Sequence, residues 1–353
     1  MIKRPSREIS EFRDSTKSWL DKNEIHDGEI HQFLKEQIKK SGQRIFSSYP
    51  DLNVTYKALS DQLNTPIDHL FLANGSDAII KSVFENFLCK GDKIFLRSPT
   101  FAMYEVYSSF FNSSVTKFEY KFKHIENRFI WDKDSFEKNI IEIKPKLIFI
   151  ANPDSPTGSY FSEEYLCHLL GLAKKVGAVV CLDAVYDHFS PKPLDYNKLV
   201  KEFKNLLIVY SASKSWGLAG VRVGYSISST ELNQKLHLSR PMYEIGNLQA
   251  FIFEKALYNK SLFNGIIKKV LSNKIKVESY LKNSNLMLVN TIGNFIIFEE
   301  LEELNKILEE KIIIRSNWNS GPMKGLSRMS IDSEMDFKFL RKCIYMFGKG
   351  INK

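Results

Sequence analysis

Cysteine is scarce in this chain: four residues (Cys89, Cys167, Cys181 and Cys343) stand far apart among 353, with no CxxC pair. That excludes a disulfide scaffold and a thiolate zinc site, and it fits a reducing, cytoplasmic setting. Histidine offers no alternative metal site, since the seven residues are scattered and His26 and His31 are poorly spaced to share one helix face. No metal is expected. No apolar run approaches the roughly 18–20 residues that span a bilayer. The N-terminal stretch MIKRPSREISEFRDSTKSWL carries charges of both signs and no apolar signal-peptide core. Low-complexity tracts and a repeat of fixed period are also missing. Acidic residues are outnumbered 41 to 50 by Lys and Arg, for a net charge of +9. The basic residues come in short groups such as Lys39–Lys40 and Lys268–Lys269, or beside acids as in KEFK at 201–204. A nucleic-acid face would gather them in a stripe with interleaved aromatics. We therefore read solvated faces with a mild attraction for anionic metabolites, and expect neither a nucleic-acid nor a membrane partner.

With 43% hydrophobic residues over this length, the chain has material for two domains, or one large α/β unit with an appendage. Six short apolar runs alternate with helical patterns: HLFLANG (69–75), DKIFLRSP (92–99), KLIFIANP (146–153), AVVCLDAVY (178–186), LLIVYSAS (206–213) and RVGYSIS (222–228). Most are continuously apolar, as strands buried on both faces of a mostly parallel sheet must be. Helices are expected over 76–89 and over 162–176, the second N-capped by Ser162 and closed near Gly177. The fold class is therefore α/β, with ligands expected beyond the carboxyl ends of the strands. After about residue 240 the pattern shifts to a long helix (262–283), the apolar segment LMLVNTIGNFIIFEE (286–300), a charged helix near 301–310, strands KIIIRS and SRMSI, and a terminal helix near 334–347. The expected division is an N-terminal arm (1–30), a large domain (31–240) and a small α+β domain (241–353).

The polar residues follow the strand ends. Strand 69–75 runs into Asn74-Gly75-Ser76-Asp77 at the start of a helix, where free backbone N–H groups and a hydroxyl can cradle an anion. Lys214 follows a buried strand directly, flanked by Ser211 and Ser213, with Arg222 beyond. Asp183 lies in an apolar strand with Tyr186 three residues on, and a buried carboxylate needs a donor. Each has an ordinary explanation alone: an N-cap, a lysine reaching out to solvent, a structural cap. Together, an imine-forming lysine, an anion cradle with an arginine, and a buried aspartate with a tyrosine describe a site for pyridoxal 5′-phosphate (PLP).

At these residues the chain resembles the fold-type I, aspartate-aminotransferase-like PLP enzymes, and within them the histidinol-phosphate aminotransferase group. Matching segments run in order over nearly the whole chain: WLDKNE (19–24), SYPD (48–51), NGSDA (74–78), PTFAMY (99–104), NPDSPTG (152–158), DAVY (183–186), SASK (211–214), GLAGVRVG (217–224) and RMSI (328–331). The resemblance implies a large domain whose mostly parallel mixed sheet is sandwiched by helices, plus a small α+β domain. It implies that Lys214 holds PLP as a Schiff base and then serves as general base and acid. Asp183 would keep the pyridine nitrogen protonated, and Tyr186 would donate to the ring's phenolic oxygen. Ser211, Ser213, Arg222 and the N–H groups of Ser76 and Asp77 would hold the phosphate. Phe101 would stack on the ring, while Tyr49 would reach the phosphate of a neighbouring subunit, making a homodimer the expected unit. Arg328 would bind a substrate anion, Arg315 a distal phosphate, and Asn23, in the arm segment, would also meet substrate.

Three departures stand out, with a milder fourth at Phe101. Ser155 takes the place of an asparagine that bonds the ring oxygen, and reaches it only through a shift or a water. Ala184 replaces a frequent glutamate, and Val185 adds bulk where an alanine packs beneath the ring. Phe101 lacks the hydroxyl of the commoner tyrosine. These changes argue against assuming the group's namesake substrate. The implied activity is amino transfer, with glutamate the expected donor, to a small phosphorylated keto compound by a ping-pong mechanism. The alternative is decarboxylation of a phosphorylated amino acid, as in the related threonine-phosphate decarboxylases. A non-catalytic regulator of the same fold is a further alternative, disfavoured by the presence of Lys214 and Asp183.

Overall fold

The computed structural model describes residues 13–350, with side chains through Phe347. The first twelve residues of the expected arm lie outside the described residues. A seven-stranded sheet forms the centre, in the spatial order Leu70–Ala73, Gly224–Ser228, Leu206–Ser211, Val179–Asp183, Leu147–Ala151, Lys93–Ser98, Ser114–Glu119. Gly224–Ser228 runs antiparallel to both of its neighbours, and every other pairing is parallel. The six expected strands are all in this sheet. Leu70–Ala73, Leu147–Ala151 and Leu206–Ser211 are buried along their whole length, which is why their sequences show no alternation. The seventh, Ser114–Glu119, was not expected: it is an edge strand, mostly exposed or half-buried, and its SVTKFE sequence lacks an apolar run.

Helices cover the two faces. Ser76–Phe87 packs Ile79, Ile80, Val83 and Phe84 into one core; Glu163–Lys175 packs Leu166, Leu169 and Leu170 into the other. Ser162 caps the second by accepting from the N–H of Tyr165, and Gly177 turns the chain after it with φ +77°. Beyond residue 257 the long helix Lys260–Asn283 leads to an antiparallel sheet of Leu288–Val289, Phe295–Glu299 and Leu326–Ser330. The terminal helix starts at Phe337. The expected boundary at residue 240 falls just before Asn247–Leu257, whose Phe253 stacks on Trp216 of the central region. Near the N-terminus, Ser18–Leu20 pairs in parallel with Ile312–Ile314, and the helix Gly28–Lys40 crosses the expected end of the arm.

Parallel register sets the site. Ala151 lies opposite Asp183, and Asp183 opposite Val209. The loops leaving these three strands therefore emerge side by side at one edge of the sheet. The antiparallel strand brings Gly224 opposite both Ala73 and Ser211, so the turn at 74–76 joins the same edge.

Candidate active site

A cavity of about 390 Å³ opens at that edge, lined by Lys22, Glu24, Ser76, Asp77, Phe101, Ser155, Asp183, Val185, Tyr186, Ser211, Ser213, Lys214 and Arg222, among others. It thus gathers ten of the expected site residues, from Ser76 to Arg222. Its size is that of a small-molecule site, roughly 300–1,000 Å³. A larger and more open groove of about 1220 Å³ runs between residues 50–68 and 233–244 and contains none of them.

One end of the cavity is built to hold an anion. Gly75, at φ +83°, ends the turn, and Ser76 and Asp77 begin a helix whose first N–H groups have no carbonyl one turn earlier to bond. A side chain at Gly75 would run into the Arg222 guanidinium, and a Cβ at Gly224 would lie 2.6 Å from the Gly75 carbonyl carbon and the Ser76 nitrogen. Two glycines thus allow strand, turn and arginine to close around one point. Arg222 itself adopts φ +58° and donates to the Ser213 hydroxyl and the Ala219 carbonyl, both at 3.3 Å. The Ser211 hydroxyl donates to Ser213 at 3.0 Å and also caps the short helix Ala212–Ser215 that carries Lys214.

The middle of the cavity holds the reactive groups. Lys214 extends from that short helix, and its ammonium donates to the Lys22 carbonyl at 2.6 Å. Asp183 ends its strand with one oxygen accepting from the Val185 N–H (3.1 Å) and the other from the Tyr104 hydroxyl (2.8 Å). Burial raises its pKa above the ordinary carboxylate value, and these two donors pull it back. The Tyr186 hydroxyl accepts from the Asn23 side-chain amide at 2.8 Å. Asn23 is buried, held at φ +55° where asparagine is tolerated, and fixed by Ser330 and Asn294.

Next to the cavity, Arg328 is buried against Phe295 at 5.5 Å and donates to the hydroxyl of the lining residue Ser155 (3.2 Å) and to the Asp21 carbonyl (2.7 Å). Its Nε is buried without a partner. Burial and the charge of Arg315 both pull its pKa below the ordinary guanidinium value, and it stays protonated. Arg315 is joined to Arg328 through reciprocal backbone hydrogen bonds of 2.9 and 2.7 Å, and its guanidinium lies over Trp318. Of the expected site residues, Asn23, Tyr49, Arg315 and Arg328 do not line the cavity. Tyr49 is 78% exposed and stacks on Tyr243, with ring centres 4.4 Å apart.

Sequence reasoning passed over the layer behind the cavity. Asp154, inside the NPDSPTG turn, is buried and accepts from Thr100 and Tyr120 at 2.7 and 2.8 Å, with Arg97 3.8 Å away. Burial pushes its pKa up to about 6, with Arg97 and the two hydroxyls pulling the other way. Arg97 lies over the rings of Phe161, Tyr120 and Trp131 at 3.9–5.2 Å. A charge inside the apolar strand run DKIFLRSP was the signal that could have pointed to it.

A model of aminotransferase class I and II matches residues 15–343. The chain belongs to the aminotransferase class I and II family. A histidinol-phosphate aminotransferase of Ruminiclostridium cellulolyticum is 29% identical over 323 residues, 90% of this chain and 88% of the relative. Another, from Thermoanaerobacter pseudethanolicus, is 30% identical over 318 residues, 85% of this chain and 86% of its own. Among solved structures, the histidinol-phosphate aminotransferase of Sinorhizobium meliloti in complex with PLP superposes with TM-score 0.80 at 16% identity, covering 95% of this chain and 92% of that one. L-threonine-O-3-phosphate decarboxylase from Porphyromonas gingivalis gives 0.78 at 17%, covering 95% and 100%. At such identities the structural likeness speaks for the fold, which is that of the fold-type I PLP enzymes. For this family member, the residues present fit PLP: the glycine-lined cradle at Arg222 suits a phosphate, Asp183 a protonated ring nitrogen, and Lys214 an aldehyde.

Proposed function

We propose that the chain is a PLP-dependent aminotransferase exchanging an amino group between an amino acid, with glutamate the expected donor, and a small phosphorylated keto compound. The observation that carries this reading is one cavity with Lys214 in the middle and an anion cradle at Arg222, and with a buried, half-partnered arginine, Arg328, bonded to Ser155 of its lining. Two separate anion sites suit a cofactor phosphate and a substrate anion. The bound cofactor would supply an electron sink that stabilises charge developing at the substrate Cα. Ser211, Ser213, Arg222 and the N–H groups of Ser76 and Asp77 would hold its phosphate, with Phe101 against its ring. Asp183 would keep its ring nitrogen protonated, and Tyr186, held by Asn23, would donate to its phenolic oxygen. Lys214 would bind its aldehyde carbon and, once displaced by the substrate amine, carry the proton to and from Cα. Arg328 would orient the substrate anion. Arg315, bridged to it through the backbone, would meet a distal phosphate, in keeping with the phosphorylated substrate in the relatives' names. Ser155, Ala184 and Val185 are reasons to leave that substrate's identity wider than theirs.

The expected unit is a homodimer, in which Tyr49 would serve the phosphate of the neighbouring subunit. An exposed Tyr49 stacked on Tyr243, beside the exposed Leu238 and Met242, supports this reading. Among the described residues no helix is long and apolar enough to cross a membrane, and the expected location is the cytoplasm. We also retain the division into arm (1–30), large domain (31–240) and small domain (241–353) as a proposal.

The test follows the cofactor's colour. L-Glutamate added to the PLP-loaded protein should shift the visible absorbance into the near-ultraviolet and release 2-oxoglutarate, and Lys214→Ala should abolish both. If no amino donor moves the spectrum while a phosphoamino acid releases CO₂, the decarboxylase reading replaces this one.

A further inference from the structure

Resting on the PLP reading, we infer that Tyr104 is a positioning residue that sets the orientation and charge of Asp183, and through it the state of the cofactor's ring nitrogen. Tyr104 lies in the first turn of the helix Met103–Phe110, directly after the Pro99-Thr100-Phe101 turn. It is completely buried, its ring stacked on Phe149 at 4.6 Å and met edge-on by Phe101 at 5.6 Å. Phenylalanine would satisfy those apolar contacts equally well. The hydroxyl, by contrast, is costly to bury without a partner, and its partner is one oxygen of Asp183, at 2.8 Å. With the Val185 N–H on the other oxygen, both carboxylate oxygens are held and the plane of the group is fixed.

The chemistry favours a tyrosine here over a cationic partner. Asp183 is buried, so its charged form needs donors to survive desolvation. A lysine or arginine would satisfy the carboxylate but compete with a cationic ring nitrogen for the same charge. A neutral phenol supplies a hydrogen bond and leaves the negative charge for the ring. Burial and the adjacent carboxylate keep the Tyr104 proton on its oxygen, so the group remains a donor. Phe101, expected on the ring face, belongs to the same turn and packs against Tyr104, so one short segment would supply both the stacking ring and the support for the counter-ion.

The experiment compares PLP with an analogue carrying carbon in place of the ring nitrogen. Both are titrated into cofactor-free wild type, Tyr104→Phe, Asp183→Asn and the double variant, with melting temperature as a control for folding. Wild type should prefer PLP. Tyr104→Phe should reduce that preference about tenfold, the worth of one hydrogen bond to a charged group. In the Asp183→Asn background the same change should do almost nothing. A Tyr104→Phe variant that weakens both ligands equally, or neither, overturns the inference and leaves a packing role. A wild type that binds PLP without preferring it to the analogue removes the Asp183–nitrogen reading itself, a result distinct from failure at Tyr104.

Discussion

Serine at 155 is short, yet its hydroxyl lies 3.2 Å from an Arg328 nitrogen and lines the cavity. It is placed by the residue before it. Asp154 is anchored by Thr100 and Tyr120 and faces Arg97 in a layer sealed from solvent. A buried ion pair contributes little net stability relative to apolar packing, but removing one partner strands the other charge. Arg97→Met should therefore destabilise the protein by about 3–5 kcal/mol, as read from the urea midpoint. Adding Asp154→Asn should recover most of that loss; failure to recover would mean that the rings of Phe161, Tyr120 and Trp131, not the charge, depend on Arg97. The replacement of asparagine by Ser155 was legible in the sequence. Its bond to Arg328 was not, because it joins two residues 173 apart in the chain.

Among the elements, the helix Ser76–Phe87 shows most directly how local sequence becomes a site. Its apolar spacing made it readable, and Gly75 before it marked a turn that other residues rarely adopt. What the spacing could not show is that the glycine's empty side faces Arg222, which comes from the connection between the antiparallel strands Leu206–Ser211 and Gly224–Ser228. Gly75→Ala combines strain at φ +83° with displacement of that guanidinium. PLP affinity should fall about tenfold or more, while the cofactor-free protein loses about 1–3 kcal/mol of stability. A titration and a melting curve on the same samples separate the two effects. The edge strand Ser114–Glu119 escaped a reading based on apolar runs because an edge position leaves its side chains half in water. The strands buried on both faces were visible for the opposite reason.

For the whole molecule, the arrangement of exposed apolar side chains is uneven. Tyr49, Leu238, Met242 and Tyr243 gather beside the large groove, with Met242 80% exposed. A group of exposed apolar side chains of this kind is what a second copy would cover in the proposed homodimer. Met242→Asp should shift the sedimenting species from dimer to monomer at micromolar concentration and weaken PLP binding together with it, since Tyr49 would no longer reach a neighbour. A variant that stays dimeric with unchanged PLP affinity would place the interface elsewhere. Segments early and late in the chain are also joined within one copy, as Ser18–Leu20 pairs with Ile312–Ile314 and Asn23 meets both Tyr186 and Ser330. Asn23 thereby ties the antiparallel sheet to Tyr186 in the cavity wall.

The sequence by itself determined the α/β class, six of the seven central strands and the chemical kinds present at their ends: an amine at 214, a carboxylate at 183, hydroxyls at 211 and 213, guanidiniums at 222 and 328. These follow from residue identity and from periodicity, which are local properties. Tertiary structure alone decided which of these groups face one another. Tyr104 under Asp183, Arg97 beside Asp154, Arg222 against Gly75 and the backbone pairing of Arg315 with Arg328 all depend on strand register and loop closure. Those long-range pairings are selected by the burial of the whole sheet, and no short segment of the chain records them.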